Sequence, residues 1–227
     1  MPPAGALSWA YGVIRGIRNA GLACLATVSV AMAEPVTVAA LGDSLTQGFG
    51  LAPEAGFVPQ LEAWLHAEGA DVTLINAGVS GDTTAGGLSR VGWTLTPEVD
   101  AMIVALGGND LLRGIDPAVS RANLDGILAA AEEAGVNVLL VGLEAPSNYG
   151  AAYKTAFEGM YADLADAYGV ALYPSFLAPL TEGRDRQTAL REVMQGDGIH
   201  PNAAGVREIV AGIGPSVLML VRAVEAE

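Results

Sequence analysis

The segment DGIHPN, residues 197–202, places an aspartate three residues before one of the chain's two histidines. If these residues form a turn, Asp197 can contact one ring nitrogen of His200 and leave the other nitrogen free. A serine hydroxyl near that free nitrogen would be an activated nucleophile, with His200 as its base and Asp197 orienting the imidazole. The same pair could instead cap a helix that begins near Pro201. Both interpretations fit the spacing.

Ser44 is the candidate nucleophile, because it follows the β-rich run VTVAAL (36–41) where the chain turns towards a helix. A serine at such a place is more often a helix cap. Acyl transfer also needs hydrogen-bond donors for the oxyanion that develops in the transition state. The backbone N–H groups of Ser44 and Gly81 and the amide of Asn109 could supply them, although Gly81 and Asn109 also suit ordinary turns. His66, in WLHAEG, is expected to be a solvated histidine at a helix end.

Five short apolar runs predict β-strands, with longer mixed segments between them. The runs are VTVAAL (36–41), VTLINA (72–77), AMIVALGG (101–108), VNVLLVGL (136–143) and VALYP (170–174). Strands that alternate with helices form a parallel sheet covered on both faces, and continuous apolar strands fit that burial. Functional sites of such sheets lie at the carboxyl ends of the strands. The loops GDSLTQG, GVSGDTT and GGNDLLRG follow the first three strands, so we expect them to meet at that edge.

Helices are expected between these strands and at the end of the chain. The segments are 57–67, 117–135, 151–169 and a last helix that begins near Pro201. Pro215 lies inside this last helix. Because proline removes a backbone donor and clashes with the preceding turn, we expect the helix to bend or break there.

Residues 1–33 have the features of a secretory signal peptide. Arg15 and Arg18 form a basic region, and AGLACLATVSVAMA (20–33) follows as a short apolar stretch with a small-x-small end. The alternative is an uncleaved membrane anchor, but a run of 14 residues is shorter than the roughly 17–25 that span a bilayer. We therefore expect cleavage after Ala33 and a periplasmic or secreted protein.

The remaining chain would form a single domain over residues 34–227, with nine basic against 25 acidic residues and a net charge of −16. So large an acidic excess argues against nucleic-acid binding and against docking on anionic lipid. Cys24, the only cysteine, would be removed with the signal peptide. Disulfides and thiol catalysis would then be excluded.

Four sequence blocks resemble those of the SGNH hydrolases, the GDSL-type esterases. They are GDSL (42–45), GVSGDTT (78–84), GGND (107–110) and DGIHPN (197–202), in the family's order. Within the family, LGDSLTQGFGL, NAGVSGDTTAGGLSR, LGGNDLLRG, PSNYG and GDGIHPN are most similar to the bacterial secreted thioesterase, lysophospholipase and arylesterase group. The similarity runs from about Val36 to the final helix.

The resemblance implies a flavodoxin-like, three-layer α/β/α fold with a mostly parallel five-stranded sheet and a shallow, exposed site. It also implies a catalytic triad of Ser44, His200 and Asp197. The implied oxyanion hole consists of Ser44, Gly81 and Asn109. The expected activity is hydrolysis of aryl esters, esters with short-to-medium acyl chains, lysophospholipids or thioesters. The expected enzyme is a monomer that does not insert stably into a membrane and needs no metal or organic cofactor.

Two other functions stay open. A carbohydrate O-deacetylase of the cell envelope could share this fold, but its sugar groove should show exposed aromatic residues near the site. The loops offer few of these, mainly Phe49, Trp93 and Tyr149, whereas LLRG (111–114) and PSNYG (146–150) look like apolar walls for an acyl or aryl group. A non-catalytic envelope binding protein is the other possibility, although all five functional positions are present. The α/β-hydrolase fold is disfavoured, because no serine lies in a G-x-S-x-G context.

Overall fold

Five strands form the centre of residues 34–226, the part of the chain that the computed structural model describes. They are β1 (Val36–Gly42), β2 (Val72–Gly78), β3 (Ala101–Ala105), β4 (Asn137–Val141) and β5 (Ala171–Tyr173). All neighbouring strands pair in parallel, in the order β2-β1-β3-β4-β5. This is the flavodoxin-like order, so the expected fold class is confirmed. The predicted signal peptide lies outside the described residues.

Helices connect the strands and cover both faces of the sheet. They are α1 (Ser44–Gln47), α2 (Phe57–Ala67), α3 (Thr84–Thr94), α4 (Gly108–Leu112), α5 (Pro117–Ala134), α6 (Ala151–Tyr168), α7 (Ala178–Thr181), α8 (Arg186–Glu192) and α9 (Ala203–Glu225). Helix α5 packs against α3 and α6, whereas α2 packs against α9. These two groups form the outer layers of the α/β/α arrangement.

The core is densest along the two central strands. All five residues of β3 are buried, and so are six of the seven in β1. Large side chains such as Leu41, Met102 and Ile103 are buried there, and each contributes about 1.5–3 kcal/mol through burial. The edge strands β2 and β5 are more exposed. The loops that leave β1 and β3 therefore start from the most firmly packed part of the fold.

Helix α9 is not broken at Pro215, so the expectation of a break was wrong. The helix runs continuously from Ala203 to Glu225 with the proline inside it. Ile209 and Ile213 before the proline and Val217 after it are all buried in the same core. Burial of these side chains outweighs the roughly 3 kcal/mol that an interior proline costs a helix. The helix begins two residues after Pro201, and Asn202 caps it by accepting from the N–H groups of the first turn.

Candidate active site

Ser44 lies at the junction of β1 and α1. It is the first residue of α1, and the Asp43 side chain caps the helix by accepting from the Leu45 N–H at 3.0 Å. The helix ends after one turn at Gly48, whose φ of +86° is in the left-handed region that favours glycine. The N–H groups of Gly48 and Phe49 both donate to the Ser44 carbonyl at 3.1 Å. The backbone on each side of the serine is therefore held by hydrogen bonds.

The turn that contains Asp197 brings His200 to Ser44. One oxygen of Asp197 accepts from the N–H groups of Ile199 at 2.9 Å and His200 at 3.0 Å. The other oxygen lies 2.6 Å from His200 Nδ1, and His200 Nε2 lies 2.9 Å from Ser44 Oγ. Since a carboxylate only accepts, Nδ1 carries the proton in this arrangement and Nε2 is free to accept the serine hydroxyl proton. His66 is bonded elsewhere, with Nε2 2.8 Å from the Val72 carbonyl oxygen.

Gly81 and Asn109 lie in the cavity that also contains Ser44 and His200. Gly81 has a φ of +86°, and its carbonyl accepts from Arg113 at 2.8 Å. The side-chain amide of Asn109 donates to the carbonyl of Asp82, the residue after Gly81, at 2.9 Å. The second and third loops are thus tied to each other beside the serine.

Asp43 is a buried carboxylate of this site, with only 2% of its surface exposed. Its second oxygen lies 3.3 Å from Asn109 Nδ2. Burial raises the pKa of Asp43 from its ordinary value of 3.8 to about 6, although the Leu45 N–H and the charge of His200 oppose the rise. Asp43 therefore links the helix that begins at Ser44 to the Asn109 amide.

Asp197 has the opposite electrostatic environment. Its side chain is 37% exposed, and it accepts from two backbone N–H groups and the His200 ring. These hydrogen bonds, led by that from the His200 backbone, lower the pKa of Asp197 to about 2. The carboxylate next to the imidazole is therefore ionised over the whole neutral range.

The cavity beside Ser44 has a volume of about 330 Å³ and is mainly apolar. Its apolar side chains come from loops at the carboxyl edge of the sheet and are Leu45, Phe49, Leu111, Leu112, Leu143, Leu177 and Ile199. Within residues 34–226, no group of three or more His, Cys, Asp or Glu side chains is arranged to hold a metal ion. The arrangement can perform nucleophilic acyl chemistry next to an apolar substrate group.

The model of the GDSL-like lipase/acylhydrolase family matches residues 40–208, which include every residue of the site described above. The chain belongs to this family. It is 39% identical over 196 residues to Esterase TesA of Pseudomonas aeruginosa, covering 86% of this chain and 94% of the relative. It is 35% identical over 168 residues to Thioesterase 1/protease 1/lysophospholipase L1 of Escherichia coli, covering 73% and 76%.

A solved structure supports the same assignment. The crystal structure of AlinE4, a SGNH-hydrolase family esterase, has a TM-score of 0.67 and 42% sequence identity, and covers 82% of this chain and 96% of its own. This GDSL hydrolase is therefore a carboxylic ester hydrolase rather than a non-catalytic binding protein.

The residues that line the cavity of this GDSL hydrolase agree only in part with those expected from the sequence. Leu111 and Leu112 line the cavity as expected from LLRG, but residues 146–150 do not. Tyr149 lies instead against Tyr153, with ring centroids 4.9 Å apart. Trp93 is 89% exposed at the end of α3. The wall residues that were not expected from the sequence are Leu45, Leu143, Leu177 and Ile199, because the sequence does not show whether an apolar residue of a loop faces the core or a cavity.

Two further charged residues support the loops of this hydrolase. Arg90 donates to the Asp82 carboxylate at 2.6 Å and to the carbonyls of Ala77 at 2.7 Å and Gly42 at 2.8 Å, and so ties together the ends of β1 and β2. Asp110, which is fully buried, accepts from the Thr84 N–H at 2.8 Å and so joins α4 to α3. Arg90 and Asp110 both lie within sequence blocks that resemble those of the family, but residue type alone did not indicate that they support the loops of the site.

Proposed function

We propose that Ser44, His200 and Asp197 form a catalytic triad that hydrolyses acyl esters through an acyl-enzyme on Ser44. The observation that carries this proposal is the continuous chain of contacts from Ser44 Oγ to His200 Nε2 at 2.9 Å and from His200 Nδ1 to Asp197 at 2.6 Å. A nucleophile, a base and an orienting acid within hydrogen-bond distance are the arrangement that activates a serine.

In the first half of the reaction, His200 Nε2 takes the hydroxyl proton as Ser44 Oγ forms a bond to the acyl carbon. The tetrahedral intermediate then collapses, the bond to the leaving group breaks, and His200 returns the proton to the departing alcohol or thiol. In the second half, water attacks the acyl-enzyme and gives its proton to His200, which passes it to Ser44 as the acid is released. Asp197 stays ionised throughout and stabilises the imidazolium.

The proposed oxyanion hole consists of the N–H groups of Ser44 and Gly81 and the amide of Asn109. All three residues border the cavity that contains the serine hydroxyl. One such donor typically contributes about 10²–10³ in kcat. Asn109 Nδ2 donates to the Asp82 carbonyl at 2.9 Å and lies 3.3 Å from an Asp43 oxygen, so its second amide hydrogen is the one proposed to serve the oxyanion.

The proposed substrates are aryl esters, esters with short-to-medium acyl chains, lysophospholipids or thioesters. The cavity supports them because its walls are leucine and isoleucine side chains. The names of the relatives, an esterase and a thioesterase/lysophospholipase, support the same range. A carbohydrate O-deacetylase is less consistent with this cavity, since Phe49, its one aromatic ring besides the imidazole of His200, packs against that imidazole.

We further propose that the enzyme is periplasmic or secreted after cleavage near Ala33, and that it is a monomer without stable membrane insertion. Helix α9 is the one described helix that is long and apolar enough to cross a bilayer, but half of its apolar window is buried within the fold. The net charge of −16 that remains after such cleavage also disfavours attraction to anionic lipid.

A series of p-nitrophenyl esters from acetate to laurate, assayed on the wild type and on Ser44→Ala, tests the proposal. We expect Ser44→Ala and His200→Ala each to lose at least about 10³-fold in kcat, because triad members act as a unit. Ser89→Ala, an exposed serine on α3, is the matched control and should keep full activity. Full activity in Ser44→Ala would contradict the mechanism. Release of acetate from acetylated xylan, measured in parallel, would favour the deacetylase instead.

A further inference from the structure

Ser44 and His200 lie 156 residues apart in the sequence and on separate loops. Other contacts must therefore fix the position of one loop relative to the other. The hydrogen bonds of Asp197 all stay within its own turn. They fix the imidazole relative to that turn, but not relative to the serine. The distance between Oγ and Nε2 therefore depends on contacts between the turn and the segment after α1.

Gln195 makes such contacts with both segments. Its side-chain Nε2 donates to the Phe49 carbonyl at 2.7 Å and to the Pro201 carbonyl at 2.9 Å. Its backbone N–H donates to the His200 carbonyl at 2.8 Å. Both hydrogens of one amide thus join the Phe49 segment to Pro201, the residue after His200, while the backbone N–H holds His200 itself.

These bonds complete a closed circuit around the reacting pair. The Phe49 N–H donates to the Ser44 carbonyl at 3.1 Å, the Phe49 carbonyl accepts from Gln195, and the Gln195 N–H donates to the His200 carbonyl. The contact between His200 Nε2 and Ser44 Oγ at 2.9 Å closes the ring. The Phe49 ring also packs on the imidazole, with centroids 4.6 Å apart.

Gly50 leaves the space that this arrangement needs. Its φ is +75°, and a Cβ at this position would lie 2.3 Å from the Gln195 side-chain oxygen. Any larger residue would push the glutamine amide away from the Phe49 carbonyl. Glycine at position 50 therefore leaves the room that the Gln195 side chain needs to reach the Phe49 carbonyl.

We propose that Gln195 is a positioning residue that holds the His200 imidazole at hydrogen-bond distance from the Ser44 hydroxyl by joining the Phe49 segment to the Asp197 turn. The proposal rests on the proposed roles of Ser44 and His200. Gln195 does not touch the reacting atoms, so its effect falls on kcat through geometry. Substrate binding depends on the cavity walls, among which Gln195 is not found.

The first test compares Gln195→Met, which keeps the length of the side chain and removes both donors, with Gln187→Met, the same change at an exposed position on α8. With p-nitrophenyl butyrate, we expect Gln195→Met to lose roughly 10- to 100-fold in kcat with KM within about twofold of the wild type, because small misplacements of reacting groups lower rates on this scale. Gln187→Met should match the wild type. Equal kcat in the two variants would overturn the proposal.

A pH series with Gln195→Glu separates hydrogen bonding from packing. An ionised carboxylate cannot donate to the two carbonyls, whereas a protonated one regains one donor. We expect the kcat ratio of Gln195→Glu to Gln195→Met to rise as the pH is lowered from 8 to 5, because protonation of the glutamate restores one donor that methionine lacks at every pH. A ratio that does not change with pH would overturn the proposal.

Histidine NMR reports the geometry directly, because the chain has only two histidines. In Gln195→Met, we expect the Nδ1–H signal of His200 to shift or broaden, while the Nε2–H signal of His66, which donates to the Val72 carbonyl, stays unchanged. An unchanged His200 signal would overturn the proposal even if kcat fell. If instead the proposed triad were wrong, the result would differ. Ser44→Ala would then keep wild-type activity and would be labelled by a fluorophosphonate to the same extent as the wild type.

Discussion

Asp43 and Asp197 are two carboxylates of the candidate active site, and their surroundings are opposite in character. Asp43 is 2% exposed and faces the Asn109 amide and one backbone N–H. Asp197 is 37% exposed in its side chain and accepts from two backbone N–H groups and an imidazole. Burial raises the pKa of the first to about 6, and hydrogen bonds lower the pKa of the second to about 2.

The difference shows where this site uses negative charge. In the proposed mechanism Asp197 must remain charged to stabilise an imidazolium, and hydrogen bonds supplied by its own turn keep it ionised. Asp43 is mostly ionised at pH 7 as well, but its charge is poorly solvated. A rise in pKa from 3.8 to about 6 corresponds to about 3 kcal/mol of lost stability when the group is ionised. Asp43 is thus an acid that weakens the fold while linking α1 to Asn109.

The largest expected effect is that of Asp197→Asn. The introduced side-chain oxygen can still accept the backbone N–H groups of Ile199 and His200, but its NH₂ group then faces His200 Nδ1. This favours the tautomer with the proton on Nε2, which cannot accept the Ser44 proton. We expect kcat on p-nitrophenyl butyrate to fall by about 10³–10⁴-fold.

Asp185→Asn is the matched control for this change. Asp185 is also exposed and caps α8 by accepting from the Thr188 N–H at 3.0 Å, and hydrogen bonds to Thr188 lower its pKa too. Its substitution should leave kcat unchanged, because it lies in no contact with the triad. If the kcat of Asp197→Asn stayed within tenfold of the wild-type kcat, Asp197 would have no orienting role, and its functional difference from Asp43 would be lost.

Asn109→Ala should have the next largest effect, and it tests the partner of Asp43. It removes one proposed oxyanion donor and leaves Asp43 with the Leu45 N–H. We expect kcat to fall by about 10²–10³-fold, and the rate of phosphonylation of Ser44 by a fluorophosphonate to fall in parallel, because the phosphonyl oxygen occupies the oxyanion position. Asn148→Ala, at an exposed asparagine outside the cavity, should retain the wild-type rate. A loss of activity without slower labelling would argue against an oxyanion role.

The fold and most of the site could be predicted from the sequence, because they depend on local patterns. The alternation of apolar runs with helical segments gave the five strands and their common edge, and DGIHPN contains within one turn every bond between Asp197 and His200. The bond between Gln195 and Phe49 joins residues 146 positions apart, and no local pattern indicates it. The burial of Asp43 and the continuity of α9 at Pro215 depend likewise on what packs against them.

Asp43→Asn should produce the smallest change in rate and an increase in stability, the reverse of what loss of a hydrogen-bonded carboxylate usually does. A folded-state pKa above the unfolded value means that the folded protein holds the proton more tightly, so wild-type stability falls as the pH rises from about 4 to about 6. The variant lacks this titration. In urea unfolding, we expect the variant and the wild type to have equal free energies of unfolding at pH 4, and the variant to be more stable by about 1–3 kcal/mol at pH 7.5.

We expect the kcat of Asp43→Asn to fall about tenfold or less, since Asn109 keeps its bond to Asp82. A variant less stable than the wild type at pH 7.5, with a difference that does not change with pH, would show that the Asp43 charge is well solvated and would abolish the contrast with Asp197.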